Sequence, residues 1–300
     1  MKALQYSEYG DPDVLKVVDV EEPHAGPGQI RIAVKAVGIN PVDWKGRSGR
    51  FKSPLPAITG SDVSGVVDEV GEGVSDVFIG DEVFGFALSG GAAQYALLKN
   101  FAAKPADMSF EEAAGIPVPA ETAVRVLELL DLTPGQTLLI NAAAGGVGSA
   151  AVQIARARGL TVIGTASPVN HEYLRSLGAT PTTYGQGLPA RVKELAPQGV
   201  DAAMDASGRG ALPDLIEISG DAAKVITIAD PQAEQYGVWY ASGRGGGDRA
   251  YHALPEAVEL WKQGKFSMPV AQTFSLKDGP QAHRISEEGH VRGKLVLLVD

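Results

Sequence analysis

The stretch Leu138–Ala155, LLINAAAGGVGSAAVQIA, joins an apolar run ending at Asn141 to a helix-forming run that resumes at Val147, through a turn of alanines and glycines. A tight turn in that place aims backbone N–H groups and the positive end of a helix at one spot, a geometry suited to a pyrophosphate. Ala143, Gly145 and Gly148 fill the three positions of a GxGxxG frame, with alanine in the first. Glycine also serves any turn that needs a positive φ, so the frame takes its meaning from its surroundings. Downstream, TVIGTA (161–166), VDAAMD (200–205) and KVITIA (224–229) are further short apolar runs, with helical stretches expected over 147–158 and near 172–177. That alternation predicts parallel strands with crossover helices, an α/β doubly wound sheet. The turn therefore reads as a dinucleotide site.

Such a frame predicts a carboxylate about 20 residues on when the ribose 2′-OH of NAD is to be held. The second strand instead runs out into GTASPVNHEYLR (164–175), where Ser167, Asn170, His171 and Arg175 suit a 2′-phosphate. NADPH is the cofactor this favours. The competing reading makes Ser167 a turn cap and Arg175 a solvated helix position.

Working outward, the first hundred residues change character. Short alternating runs such as QIRIAVKAVG (29–38), GSDVSGVVDEVG (60–71) and AAQYALL (92–98), broken by glycine, predict a β-rich, barrel-like domain. From Ser109 the pattern turns helical, with a capping-box spacing to Glu112 and apolar positions at helical intervals from Ala123 to Leu132. A last helix is expected over 254–263, and the final apolar strand KLVLLVD (294–300) is expected to rejoin the first domain. SGRGGGDR (242–249) reads equally as a mobile loop near a site or as a plain loop.

Three hundred residues with a formal charge of −10 and no cysteine fit a two-domain globular protein in a reducing compartment, read as cytoplasmic. The acidic balance argues against nucleic acid. A thiol nucleophile is excluded, no GxSxG elbow or P-loop is present, and no apolar run is long enough to span a membrane. The stretch VGINPVDWKGRSG (37–49) follows a strand and suits a solvated turn, but a turn has no need of Asp43, Lys45 and Arg47 together.

Eight blocks in order, GINPVDWKGRSG (38–49), PAITGSDVSGVVDEVG (56–71), GDEVFG (80–85), GGAAQYALL (90–98), AAGIPVPAETA (113–123), AAAGGVG (142–148), VDAAMDASG (200–208) and GHVRGKLVL (289–297), resemble the medium-chain dehydrogenase/reductase superfamily, specifically its zinc-free quinone oxidoreductase branch. The resemblance implies a GroES-like domain over residues 1–118 and 264–300 and a Rossmann NADP-binding domain over 119–263. In the zinc-dependent alcohol dehydrogenases of that superfamily the loop at position 40 supplies a cysteine and the GSD position a histidine to the metal. Here those places hold Asn40 and Ser61-Asp62, and the five histidines lack ligand spacing, so no metal is expected. Without a Lewis acid to stabilise an alkoxide, acceptors that are already electrophilic are expected: quinones and α,β-unsaturated carbonyls.

The resemblance also implies roles for single residues. Asn40 and Asp43 become polar groups beside the nicotinamide. Lys45 becomes a donor to a forming enolate oxygen, a contact to cofactor, or a structural partner of Asp43. Thr122, Gly146, Val147, Tyr184, Ala206 and Lys294 join Ala143, Gly145, Gly148, Ser167 and Arg175 as cofactor positions. Tyr236, Trp239 and Tyr240 stack on a flat acceptor or fill a seam, and a homodimer formed through edge strands is expected. Two other functions stand against the quinone or enone reductase: a 2-enoyl-thioester reductase, and a cofactor-binding protein with little turnover, like the lens crystallins of this family.

Overall fold

A computed structural model of the chain describes residues 1–241, 243 and 249–300; most of the glycine-rich 242–249 segment lies outside the described residues. The chain forms two compact units, Met1–Val118 with Met268–Asp300, and Pro119–Ser267.

The first unit opens with strands β1 (Lys2–Tyr6), β2 (Lys16–Asp19) and β3 (Ile30–Ile39), a short helix α1 (Pro41–Arg47), strands β4 (Ala57–Ile58), β5 (Asp62–Val70), β6 (Glu82–Ala87) and β7 (Tyr95–Ala103), and helix α2 (Phe110–Ala114). Helix α3 (Pro117–Leu130) leads into the second unit, where strand β8 (Thr137–Asn141), helix α4 (Gly146–Ala157), β9 (Thr161–Thr165), α5 (His171–Ser176), β10 (Thr180–Thr182), α6 (Leu188–Leu195), β11 (Ala202–Asp205), α7 (Leu212–Ser219), β12 (Val225–Thr227), β13 (Trp239–Tyr240) and α8 (Ala253–Lys262) follow. The chain then returns to the first unit through β14 (Val270–Ser275), helix α9 (Gly279–Glu288) and β15 (Lys294–Leu298).

In the first unit six strands run in the order β14-β15-β3-β5-β6-β7, and β3 also pairs with β7. The long strand β3 makes this closure possible. Its first half, Ile30–Ala33, faces β7, its second half, Ala36–Ile39, faces β15, and register shifts against β5 at Arg31/Ile32 and Val34/Ala36 bend it between the two. Bulges of this kind turn a sheet into a barrel. Inside lie Leu4, Ile32, Val37, Val63, Leu98 and Leu297, all buried, each worth about 1.5–3 kcal/mol of hydrophobic stabilisation. The last strand, β15, pairs with β3 in this unit.

Gly38 shows how tightly the site end of β3 is packed. A Cβ there would stand 2.1 Å from the carbonyl oxygen of Ala114, so α2 rests directly on the strand backbone. Two residues later the chain leaves the sheet at Asn40, and the stretch that reads as a solvated loop is helix α1. Pro41 in its first turn fixes φ for helix entry, Asn40 and Asp43 form a capping box, and acidic and basic residues fall at the ends the helix dipole favours.

The second unit carries a wholly parallel sheet in the order β10-β9-β8-β11-β12-β13. The order reverses between β8 and β11, so a crevice is expected beyond the carboxyl ends of those two strands. Helix α3 begins at Pro117, six residues before the expected start, because prolines 117 and 119 sit in a first turn whose N–H groups would be unpaired in any case. It stops at Leu130, since Asp131 takes a left-handed φ of 47°.

Candidate active site and cofactor turn

Within the first unit the strand ends gather five polar side chains in an apolar interior. Asn40 caps α1, Asp43 lies one turn along it, Ser61 immediately precedes β5, Asp62 opens that strand, and Lys294 opens β15. The Lys294 ammonium, 3% exposed, donates to Asn40 Oδ1 at 2.6 Å and lies 3.5 Å from Asp62 Oδ2. Asn40 Nδ2 donates to the same Asp62 oxygen at 2.8 Å, and the Val118 N–H donates to Asp62 Oδ1 at 3.0 Å. Asp43 accepts the Asn40 N–H at 2.7 Å on Oδ2 and the Ser61 hydroxyl at 3.3 Å on Oδ1. The amide of Asn40 is thereby oriented, its oxygen to the ammonium and its nitrogen to the carboxylate. The positive charge beside Asn40 and Asp62 is the Lys294 ammonium.

Two buried carboxylates share one ammonium. Burial raises Asp43 to about 7; the Asn40 N–H opposes that rise, Asp62 adds to it, and Lys294 and Ser61 pull it back. Asp62 is also raised by burial, against the opposing pull of Lys294, Asn40 and Val118. Burial lowers Lys294, and the two aspartates pull it back up.

The three charges of the 40s stretch separate into three tasks. Asp43 closes the capping box, so it is not a partner of Lys45. The Lys45 ammonium lies 5.6 Å from the Trp44 ring and 5.7 Å from the Phe51 ring, half-buried, and burial together with Arg50 lowers its pKa. Arg47 points the other way, donating to the Gly10 carbonyl at 2.6 Å and to Glu287 Oε2 on α9 at 2.7 Å.

Next to Arg47 on α9 sits His283, buried and held down to about 3 by desolvation and by that guanidinium. A histidine that stays neutral when folded but charges when unfolded adds stability above pH 6.5, and this is lost as pH falls from 6.5 towards 3, by about 1.4 kcal/mol per unit. Asp43 has the opposite sign: the native state holds its proton between about 7 and 3.8, so stability from this group grows as pH falls through that window. His283→Leu is therefore expected to leave the Asp43 slope exposed. Urea unfolding should find the variant gaining stability from pH 7 to pH 5 relative to the unaltered chain.

In the second unit the turn after β8 is built from backbone. Ala142 takes a left-handed φ of 63°, the Ala143 N–H donates to the Thr165 carbonyl, and Gly145 caps α4 with an extended φ of −76° and no side-chain cap. Ala143 and Gly148 are buried, whereas Gly145, Gly146 and Val147 remain partly exposed. A Cβ on Gly145 would find only the Ala142 oxygen at 3.6 Å, so the mouth of the turn is open to a ligand. The first-turn N–H groups of a helix have no acceptor within it and are free for an anion. These residues fit a dinucleotide pyrophosphate.

Beneath the turn lies a network that sequence reasoning missed. Asp205 at the end of β11 accepts Asn141 Nδ2 at 2.9 Å, the Ser207 hydroxyl at 2.9 Å, the Ser207 and Gly208 N–H groups, and Thr227 Oγ1 at 2.8 Å. Thr165 Oγ1 donates to Asn141 Oδ1 at 2.6 Å and accepts the Ala142 N–H at 3.1 Å. The carboxyl ends of β8, β9, β11 and β12 are thus cross-tied at the switch point, and the strained Ala142 is held from below. The available signal was that each of these strands ends on a polar residue: Asn141, Thr165, Asp205 and Thr227.

The remaining cofactor candidates are spread around this sheet edge. Ser167 follows β9 and accepts from Asn170 Nδ2 at 3.2 Å; Tyr184 follows β10 and is exposed. Arg175 is exposed on α5 and paired with Glu172. Arg191, absent from the expected set, donates to the carbonyls of Thr183 at 3.0 Å and Gln186 at 2.8 Å and so shapes the loop that carries Tyr184. The Ala206 N–H donates to the Asn141 carbonyl at 3.2 Å. Thr122 is buried and donates to Glu121 Oε2 at 3.3 Å; Glu121 also receives Arg125 Nε at 2.8 Å and the Ala250 N–H at 3.3 Å. Trp239, 63% exposed, and Tyr240 stand on the edge strand β13, and Tyr236 ends the short turn before it. Lys294 belongs to the first unit's buried network.

A glycine turn at the switch point of a doubly wound sheet, in one chain with a closed β-barrel unit, is the architecture of a two-domain dinucleotide-dependent dehydrogenase or reductase. Residues 26–108 match the family described as alcohol dehydrogenase GroES-like domain, and residues 146–238 match the zinc-binding dehydrogenase family. A solved NAD-dependent alcohol dehydrogenase is 30% identical, with a TM-score of 0.88 and all of both chains covered. The Escherichia coli quinone oxidoreductase complexed with NADPH is 27% identical, with a TM-score of 0.88 and 100% coverage of both chains. The Arabidopsis thaliana chloroplastic NADPH-dependent alkenal/one oxidoreductase is 41% identical over 196 residues, 60% of this chain and 51% of that protein. The chain spans about half the length of the curated relatives it matches first. The chain belongs to the medium-chain dehydrogenase/reductase superfamily, in its quinone oxidoreductase branch.

Proposed function

We propose that the chain is an NADPH-dependent reductase of quinones or α,β-unsaturated carbonyls. The observation that carries this reading is the Asn40–Asp62–Lys294 cluster. Asn40 and Asp62, which the resemblance aligns with metal-ligand positions of the zinc-dependent enzymes, are engaged here by an internal ammonium, and this supports an acceptor reactive without a Lewis acid. The relatives named for NADPH-dependent alkenal/one reduction and quinone reduction support the same acceptors.

The turn's own residues hold the cofactor. The first-turn N–H groups at Gly146, Val147 and Gly148 bind pyrophosphate, Ala143 packs the turn onto the sheet, and Ser167, Arg175 and Tyr184 contact a 2′-phosphate; Thr122 and Ala206 complete the set. Bound there, the reduced nicotinamide supplies hydride. Lys45 donates a hydrogen bond to the acceptor's carbonyl oxygen, where negative charge develops. Lys45→Ala is expected to lower kcat/KM for an enone by roughly tenfold or more with thermal unfolding unchanged, as read from NADPH oxidation. The edge strand β13, with Trp239 exposed, pairs with a second copy to form a homodimer, and the absence of cysteine suits work in the cytoplasm. Among the described residues no helix is long and apolar enough to cross a membrane.

The test is NADPH oxidation against a naphthoquinone, an alkenal, an enone and an enoyl thioester, with NADH in parallel. Turnover of the first three with a preference for NADPH is the expected result. NADPH binding without turnover of any acceptor would overturn the reading in favour of a non-catalytic binding protein.

A further inference from the structure

Reduction of a conjugated carbonyl consumes one proton per hydride, and the first unit holds a buried carboxyl group, Asp43, hydrogen-bonded to a partly exposed hydroxyl, Ser61. The inference rests on the reductase reading above. Asp62 accepts an amide, a backbone N–H and the Lys294 ammonium, three interactions that favour its charged form. Among the described residues Asp43 accepts from the Asn40 N–H and the Ser61 hydroxyl, and is the more weakly compensated of two carboxylates near one cation. Like charges in one dry site cannot both ionise without cost, and the smaller number of donors on Asp43 favours the proton there over Asp62. Asp43 itself is buried, and so are Asn40, Asp62 and Lys294. Ser61 is the one member of the cluster that is partly exposed.

We propose that Asp43 is the general acid of the reaction and that Ser61 carries its proton outward to the substrate. In the step, hydride adds to the β-carbon and the alkene electron pair moves onto the carbonyl oxygen as an enolate. The Ser61 hydroxyl, which donates to Asp43 Oδ1 at 3.3 Å in this structure, rotates to the enolate and accepts from the protonated Asp43: the Ser61 O–H bond breaks and its proton joins the enolate oxygen, while the Asp43 O–H bond breaks and its proton replaces the one lost from Ser61. Asp43 is left as a carboxylate close to Lys294 and regains a proton from solvent through Ser61. The enol returns to the ketone in solution.

The groups that face Asp43 account for how it titrates. From β5 comes Asp62, from the residue before it Ser61, and from β15 Lys294. Its own helix adds Lys45, turned onto Trp44 and Phe51, and from α9 the neutral His283 and the Glu287 carboxylate meet Arg47. Burial and the neighbouring carboxylate place the Asp43 titration near neutrality, where a general acid is most effective.

The test is the pH profile of kcat for NADPH-dependent reduction of an enone, with Asp43→Asn and Ser61→Ala beside the unaltered chain. Asparagine keeps the cap geometry, and thermal melts check that both variants fold. For the unaltered chain kcat should fall as pH rises through about 7. Both variants should lose on the order of a hundredfold in kcat at pH 6, with KM for the cofactor unchanged, and the break near neutrality should vanish in Asp43→Asn. The solvent deuterium effect on kcat should disappear with the break. A break that survives in Asp43→Asn, or a Ser61→Ala enzyme with full kcat, overturns the relay while leaving the reductase reading intact. No turnover by the unaltered chain with any acceptor overturns the reductase reading itself. Because Ser61 is partly exposed and not part of the core, its variant decides the matter if Asp43→Asn fails to fold.

Discussion

Lys294→Met is expected to destabilise the first unit by about 3–5 kcal/mol, the cost of removing one partner from a buried ion pair. The side chain is 3% exposed, and Asp62 opposite it is fully buried, so water cannot enter to replace the ammonium. Methionine fills much of the volume, which leaves the loss electrostatic. Asn40 Oδ1 would lose the ammonium that donates to it, and Asp62 and Asp43 would lose the cation beside them. The pH dependence identifies the cause. Lys294 holds both carboxyl groups down against the effect of burial, so its removal raises their folded pKa values further. A carboxyl whose folded pKa lies above its unfolded value contributes stability at low pH and loses it as pH rises. The damage in Lys294→Met should therefore be larger at pH 8 than at pH 5. Adding Asp62→Asn should recover part of it, since the uncompensated charge goes with it; a coupling of roughly 0.5–3 kcal/mol is expected from urea unfolding of the two single variants and the double. Equal losses at both pH values, or strictly additive effects, would show that Lys294 serves only to fill space.

That cluster also marks where sequence reasoning stopped. The doubly wound sheet was legible because its strands are continuous apolar runs separated by helices, and buried parallel strands carry that signature. The turn at Ala142–Gly148 was legible because few other turns need three small residues at that spacing between a strand and a helix. The helical state of Pro41–Arg47 was not, since Asn, Pro and Asp suit a turn as well as a helix start. Three residues of turn chemistry and one capping box are the same letters until the Asn40 N–H is seen to meet Asp43. The resemblance implies a cofactor position for Lys294. Nothing local to GHVRGKLVL indicates that the strand brings its first side chain 254 residues back along the chain to Asn40. Asp205 was passed over for a related reason. An acid at the end of an apolar run reads as the start of a loop, and only the parallel register that sets it opposite Asn141 reveals a tie across the switch point.

Gly148→Val should abolish useful cofactor binding, with NADPH affinity falling by about a hundredfold or more, ~2.7 kcal/mol. A Cβ at this position would stand 2.3 Å from the Ala142 carbonyl oxygen and 2.7 Å from the Ala143 Cα, both backbone atoms that cannot rotate away. The turn must therefore open, and Ala142, already at a left-handed φ and held by Thr165, is the residue that has to move. Moving it shifts the first turn of α4 and the N–H groups aimed into the mouth. Gly145 supplies the contrast. Its φ is −76°, which any residue adopts, and a methyl there meets nothing closer than 3.6 Å. Gly145→Ala should fold as well as the unaltered chain and yet bind NADPH less tightly, because the added methyl projects into the open side that a pyrophosphate would approach. Fluorescence titration with NADPH alongside circular dichroism separates the two causes: Gly148→Val loses affinity through a displaced turn, Gly145→Ala through an obstructed one. If Gly145→Ala binds NADPH as well as the unaltered chain does, the phosphates do not approach across that glycine, and the binding role of the turn would have to be carried by the helix N-terminus alone.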